Sequence, residues 1–259
     1  NKKSKNNYLV CNYHGWTYLI NGELKSSRGF NKSDIPLKEL CLKNINTKVW
    51  KGLIFINFSD KPKSFGTTFN DIEQILAPYK LENFLFDRRV SYVIKSNWKV
   101  YLDNFLEGLH IPIVHPELNN VMDYKSYNTK LYKNFSVQSG KLDESKSPYA
   151  QSSNNVAYYF TIYPNILFNI APGRLQTNTI EPLNEKECIV HFDYFFDSVS
   201  KKEIQKDINF SDKIQKEDIL ICEEVQKNLL SIGFEKGIIS DKYEIGVKHF
   251  QDYIRSNIN

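Results

Sequence analysis

The sequence predicts an α+β protein, and three observations predict it. Residues 1–60 alternate short apolar runs with turn residues. Three apolar runs of strand character, at residues 158–170, 174–183 and 187–196, are separated by turn signals. Residues 213–230 carry a sustained helical period. Strands set apart from a late, long helix belong to that class rather than to alternating βα units around a parallel sheet.

In order along the chain, residues 8–11, 16–20 and 49–58 hold the apolar and aromatic content of the early strands, with Asn21-Gly22 as a hairpin turn. Residues 59–68, with Asp, Pro, Lys, Ser and Gly, read as a linker, and residues 70–79 as a short helix with Asn70 as its cap and Pro78 near its end. Residues 89–98 form a strand that feeds a second helix. Pro112 ends that helix soon after His110, because it cannot donate a hydrogen bond and disfavours helical geometry at Ile111. Residues 119–155 are polar, with few periodic apolar positions, and read as a long loop or lid. The strands that follow turn at Pro172-Gly173 and Asn184-Glu185, and residues 239–256 contain a last helix.

Composition narrows the function classes. At 259 residues, 41% hydrophobic, the chain can bury a sizeable core. Its net charge of +4 comes from lysines scattered among acids with no basic block, which argues against a nucleic-acid surface. Cysteines 11, 41, 188 and 222 have neither CxxC spacing nor the density of a disulfide scaffold, which favours a reducing compartment. Without a long apolar run or signal-peptide pattern, the expectation is a cytoplasmic protein with no membrane partner.

The segment from Asp103 to His115 carries the chemistry. Asp103, Glu107 and His110 stand at i, i+4 and i+7 on one helical face, and Trp98, Leu102, Phe105 and Leu109 form an opposite apolar stripe. Two histidines and a carboxylate are the ligand set of open-sided non-haem iron sites. Residues five apart on an ideal helix diverge by roughly 140°, so His110 and His115 converge only if the helix is broken, and Pro112 supplies the break. A second signal is Cys11-Asn-Tyr-His14-Gly-Trp16, a Cys and a His three apart, half of the set that binds a Rieske [2Fe–2S] cluster. Residues 1–10 hold neither cysteine nor histidine.

Both motifs, in this order and separation, resemble the large (α) subunit of Rieske non-haem iron oxygenases, the ring-hydroxylating oxygenase family. The carboxylate/Asn-x-x-Glu-x-x-His-x4-His motif of that family matches Asp103-Asn104 through His115, and residues 51–57 resemble the strand that closes its Rieske domain. The resemblance implies a partial Rieske-type antiparallel β domain over residues 1–62 and a helix-grip (START-like) catalytic domain over residues 63–259. It implies Cys11 and His14 as half of the cluster ligands, with the first Cys/His pair before Asn1 in a longer gene product. It also implies His110, His115 and a distal carboxylate as ligands of a mononuclear Fe(II).

The family's Glu-Asp-x-x-x-Cys-Glu-x-Val-Gln segment is matched by Glu217-Asp218 through Gln226. Helical spacing favours Asp218 over Glu217, since Asp218, Ile221, Cys222, Val225 and Leu229 share one stripe while Glu217 lines up with Glu224 and Asn228 on a more polar side. Asp207 and Asp212 are weaker substitutes.

By resemblance, Glu107 is the bridge that carries electrons to the iron from a neighbouring subunit's cluster, where His14 is the ligand that faces it. By spacing alone, Glu107 could equally support His110 or be a surface acid. Asp103 and Asn104 both belong to the motif, with support of the site, capping and solvation left open for each; Asn104 is the candidate for support. His191 reads as a packed residue, and Cys41, Cys188 and Cys222 as small buried residues.

The implied function is a terminal oxygenase that uses O2 and electrons from NAD(P)H. The electrons arrive through a reductase, with or without a ferredoxin, to a homotrimer or α3β3 assembly. The helix of residues 217–226 is closer to the branch acting on choline, betaine or carnitine than to naphthalene-type dioxygenases, and aromatic strands could form a cage for a quaternary ammonium. Aromatic-ring dihydroxylation is the alternative. Two readings from other classes remain: a redox-inactive helix-grip ligand-binding protein, and a zinc hydrolase using the same ligands.

Overall fold

In the computed structural model the described residues are 7–143, 145–146, 155–197 and 200–257. They divide into two compact units, Asn1–Phe65 and Gly66–Asn259. In the first, β1 (Tyr8–Val10), β2 (Thr17–Leu19) and β3 (Leu24–Ser26) pair antiparallel in that order. Gly22, in the β2–β3 turn, has φ +91°, and a Cβ there would stand 3.0 Å from the Leu42 carbonyl oxygen, so the turn needs glycine twice over.

The strand expected over residues 49–58 is instead a hairpin of β4 (Asn46–Trp50) and β5 (Leu53–Asn57). Lys51 and Gly52 make its two-residue turn, both at positive φ (48° and 82°), the backbone that matches strand twist. A lysine in the first left-handed position hid the turn from sequence inspection.

The second unit opens with α1 (Gly66–Ile75), which buries Phe69 and Ile72. Asn70, expected as its cap, lies in the helix, its side chain folded back towards Gly66. After β6 (Leu85–Ile94), Asn97 caps α2 (Trp98–Phe105) by accepting from the Lys99 N–H. This helix ends earlier than expected. The Leu106 N–H closes its last turn onto Leu102 and Asp103, and Glu107 to His110 are not helical. Pro112 is not the breaker: it lies in the first turn of α3 (Ile111–Val114), where its missing N–H costs nothing, and Pro116 begins α4 (Pro116–Val121) in the same way. The expected apolar stripe holds for Leu102 but not for Leu109, which is 39% exposed.

The expected loop or lid over residues 119–155 is overturned. β7 (Met122–Tyr132) and β8 (Phe135–Leu142) occupy most of it; residues 147–154 lie outside the described residues. β7 is an edge strand and tolerates its polar sequence, whereas β8 buries Ser136 and Gln138. The run at residues 158–170 is two strands, β9 (Val156–Ile162) and β10 (Ile166–Ala171), joined through Tyr163-Pro164. β11 (Arg174–Asn184) and β12 (Glu187–Phe196) follow with turns where the sequence places them. The result is a seven-stranded antiparallel sheet, β6-β12-β11-β10-β9-β8-β7.

Against it runs α5 (Lys201–Leu229), begun by a capping box between Ser200 and Glu203, and α6 (Ile245–Asn257) closes the chain. The core between sheet and helices contains Ile94, Leu102, Leu106, Ile180, Val190, Tyr194, Cys222 and Phe250. α5 starts twelve residues before the expected position 213: Ile204 and Ile208 face the core in its first turns, but they alternate with the inward polar Asp207 and Ser211, which breaks the apolar period. Its buried face runs Asp207, Ile208, Ser211, Gln215, Cys222 and Gln226; Val225 and Leu229, expected on the inward stripe, are 40% and 37% exposed. No helix among the described residues is long and apolar enough to cross a membrane.

Candidate metal centre

The break after Phe105 sets the site. It turns the chain so that His110, at the N-terminus of α3, and His115, between α3 and α4, face the middle of α5. Their rings lie 5.1 Å apart, nearly perpendicular. Asp218 reaches them from α5: its Oδ1 is 3.0 Å from His115 Nε2 and 3.8 Å from His110 Nε2. One ligand atom from each of the three lies within 4.8 Å of the others, the one such group among the described residues.

Each imidazole has its other nitrogen fixed by a carboxylate. His110 Nδ1 is 2.5 Å from Glu107 Oε1, and His115 Nδ1 is 2.7 Å from Glu217 Oε2. Such partners hold the Nδ1 proton and direct the Nε2 lone pair to one point. Two lone pairs and a carboxylate oxygen converging at this range repel one another unless a cation stands between them. Donors about 2.1 Å from an ion stand roughly 3 Å apart, so the residues fit a metal. Burial works against the charged form of His115, but Asp218 and Glu217 outweigh this and raise it above the ordinary value.

Asn104, on the last turn of α2, donates from Nδ2 to Asp218 Oδ1 at 2.7 Å and fixes that carboxylate. Glu107 is held by His110 and by the Leu109 backbone N–H. The phenol ring of Tyr127 leaves no room for a side chain at Gly108: a Cβ there would stand 2.7 Å from it. Asp103, although part of the motif, turns away and accepts from Gln251 of α6 at 3.0 Å. Glu217 is the residue that sequence reasoning missed. Its helical position set it among polar neighbours, and its pairing with His115 crosses 102 positions, visible only once the chain is folded.

Asp207 and Asp212 do not reach the centre. Asp207 pairs with Arg174 at 3.0 Å, and Asp212 accepts from the Tyr92 hydroxyl and pairs with Lys216. Of the other histidines, His191 meets Ser91 at 2.8 Å and His249 meets the Tyr163 hydroxyl at 2.8 Å.

A cavity of roughly 120 Å³ opens beside the cluster. Tyr101, Phe105, Tyr127, Tyr159, Phe192 and Phe210 give it aromatic walls. The rest of its lining is mixed, with the polar Gln176, Asn178, Ser211 and Gln215 beside the apolar Ile111, Leu118 and Ile214.

In the first unit, Cys11 and His14 are exposed on the tight loop between β1 and β2, where Gly15 has φ +74°. The backbone N–H groups of Tyr13 and His14 bond the Cys11 sulfur and lower its thiol below the ordinary range, as a metal-ligating thiolate needs. A Rieske cluster takes two cysteines and two histidines; these two residues fit half of that set.

Comparison with known proteins follows the same lines. The family model described as "Ring hydroxylating alpha subunit (catalytic domain)" matches residues 81–259. Choline monooxygenase, chloroplastic, of Arabidopsis thaliana is 30% identical over 96% of this chain and 63% of its own length. The carnitine monooxygenase oxygenase subunit of Escherichia coli K12 is 22% identical over 96% of this chain and 71% of its own. The chain thus spans about 60% of the length of the choline monooxygenases it matches. The crystal structure of a quaternary ammonium Rieske monooxygenase superposes with a TM-score of 0.83 at 20% identity, covering 97% of this chain and 72% of that one. A naphthalene 1,2-dioxygenase superposes at 0.69 with 16% identity, covering 98% and 73%.

Proposed function

The chain belongs to the ring-hydroxylating oxygenase α-subunit family, and from that premise we propose that its second unit is the oxygen-activating domain of a Rieske-type oxygenase acting on a quaternary amine. The observation that carries the reading is the convergence of His110, His115 and Asp218, with Glu107 and Glu217 on the far nitrogens of the two rings. His110 Nε2, His115 Nε2 and the Asp218 carboxylate would hold an iron(II). Bound there, the ion supplies open positions for O2 and the redox chemistry that hydroxylates a substrate C–H bond.

The chain's own residues do the rest. Glu107 and Glu217 keep both imidazoles in the tautomer that presents Nε2. Asn104 keeps Asp218 Oδ1 turned to the centre, and the aromatic cavity excludes water from the reacting position. Glu107 also serves as the entry point for electrons, from a cluster of which Cys11 and His14 are two ligands. In the complete protein these electrons come from NAD(P)H through a reductase, with or without a ferredoxin, across a subunit boundary of a homotrimer or α3β3 assembly.

The quaternary-amine assignment rests on charge and on relatives. Three carboxylates and two imidazoles face the centre, the walls are rich in aromatic faces that favour a cation, and the relatives named above are choline and carnitine monooxygenases. The test is metal analysis with O2 uptake and product identification on the full-length protein with its reductase. Stoichiometric iron, O2 consumption dependent on a trimethylammonium compound and release of an aldehyde support the reading. A cis-diol from an aromatic substrate overturns the amine assignment in favour of ring dihydroxylation. Zinc without O2 uptake overturns the oxygenase and leaves a hydrolase.

A further inference from the structure

One amide on the cavity wall is left out of the network that surrounds it. Asn169, in the middle of β10, lines the cavity and is only 8% exposed. In the cross-strand register it stands between Tyr159 of β9 and Gln176 of β11, which line the cavity as well. The other amides of the lining are bonded to the protein. Asn104 donates to Asp218, and Gln215 accepts from the Tyr101 hydroxyl at 2.8 Å. Gln176 accepts from Arg174 and from Ser211 and donates to Asn178 at 2.7 Å. Of the lining amides, only Asn169 makes no side-chain hydrogen bond among the described residues.

An asparagine at this position is costly twice over. It is disfavoured in strand interiors, and an amide withdrawn from water without a partner loses the hydrogen bonds that hydrated it. A leucine or valine would fill the same place in the strand without either cost. Nothing in the fold uses the amide. Its neighbour Tyr159 meets Phe105 edge to face, with ring centroids 6.4 Å apart, and such aromatic surface suits a cationic head. We propose that Asn169 is a specificity-determining residue: its amide receives an uncharged hydroxyl of the substrate while the aromatic walls hold the cationic head. A hydroxyl both donates and accepts, so it can use either Oδ1 or Nδ2, whereas an alkyl group leaves both unpaired. The proposal rests on the quaternary-amine reading above and narrows it to quaternary amino alcohols.

Calorimetric binding to the full-length, iron-loaded protein under exclusion of O2 tests it without turnover. Choline and propyltrimethylammonium share the head group and the chain length and differ in a hydroxyl against a methyl. The ratio of their affinities decides. Asn169→Leu moves that ratio towards the propyl compound by roughly tenfold, the worth of one neutral hydrogen bond. The ligand-free variant melts no lower than wild type, because no bond within the protein is lost. An unchanged ratio overturns the proposal and gives the hydroxyl to the metal or to another wall residue. If Asn169→Leu does not fold, Asn169→Val, whose side chain suits a strand, makes the same comparison. If both variants melt lower than wild type, the amide serves the fold and the proposal is overturned. If neither trimethylammonium compound binds wild type, the quaternary-amine reading fails on its own. Benzyl alcohol against ethylbenzene then decides the role of Asn169: the same shift in ratio supports it, and an unchanged ratio, or no binding by either compound, overturns it.

Discussion

Glu217 and Asp218, neighbours in sequence, grip opposite nitrogens of one imidazole: His115 Nδ1 lies 2.7 Å from Glu217 and Nε2 lies 3.0 Å from Asp218. The ring is 1% exposed and has no freedom to turn. Replacing Glu217 by Gln leaves a weaker, neutral partner at Nδ1. The expected result is a loss of iron affinity of about 10- to 100-fold, measured by competition with a chromogenic chelator, with the fold intact by circular dichroism.

Asn104→Asp replaces the donor to Asp218 Oδ1 with a second carboxylate at hydrogen-bond distance. Like charges this close disfavour each other's ionisation. In the metal-free protein, unfolding free energy falls by about 1–3 kcal/mol, and most of the loss returns when a divalent metal is added. A metal-independent loss would count against the placement of Asn104 beside the metal site.

Asp103 makes a prediction of opposite sign. Burial, partly offset by the bond from Gln251, raises its carboxyl from 3.8 to about 6. A carboxyl whose folded pKa exceeds its unfolded one binds its proton more tightly in the native state. Its contribution is therefore most favourable below about pH 4 and is lost as pH rises through 6. Asp103→Asn should stabilise the protein by about 1–3 kcal/mol at pH 7 and by almost nothing at pH 4, measured by urea unfolding at both pH values. Equal effects at both would show that charge burial is not the cause.

Two glycines bear on the geometry directly. At Gly108 a Cβ would meet the Tyr127 ring at 2.7 Å, and at Gly246 it would meet the Leu106 carbonyl oxygen at 2.5 Å. Ring and backbone differ in how far they can yield. Gly108→Ala should shift Tyr127, perturb the Glu107–His110 pair and weaken metal binding at a cost of about 1–3 kcal/mol in stability. Gly246→Ala must push α6 off the backbone after α2 and cost at least as much, with metal affinity per folded molecule unchanged. Thermal melts and metal titrations of both variants separate the two effects.

The sequence was most legible where chemistry and period coincide. The two histidines and Asp218 could be picked out because their residue types are rare together and Asp218 shares a helix face with the buried Cys222. The β7–β8 hairpin was not legible, because an edge strand and a strand that buries Ser136 and Gln138 carry no apolar alternation. The first three turns of α5 were hidden for a related reason: among their inward positions the apolar Ile204 and Ile208 alternate with the polar Asp207 and Ser211. Pro112 misled by its usual meaning. A proline marks either the end of one helix or the first turn of the next, and only the folded chain distinguishes the two.

α5 carries both the cavity-lining Phe210 and Ser211 and the carboxylate of the metal cluster, on one rigid rod. A single residue inserted between Ser211 and Asp218 would rotate one against the other by about 100°, and only three or four together would restore the facing, lengthening the chamber by about 5.4 Å. Cavity depth in this architecture therefore comes in whole helical turns, and any finer adjustment to ligand size has to be made by the side chains of the sheet.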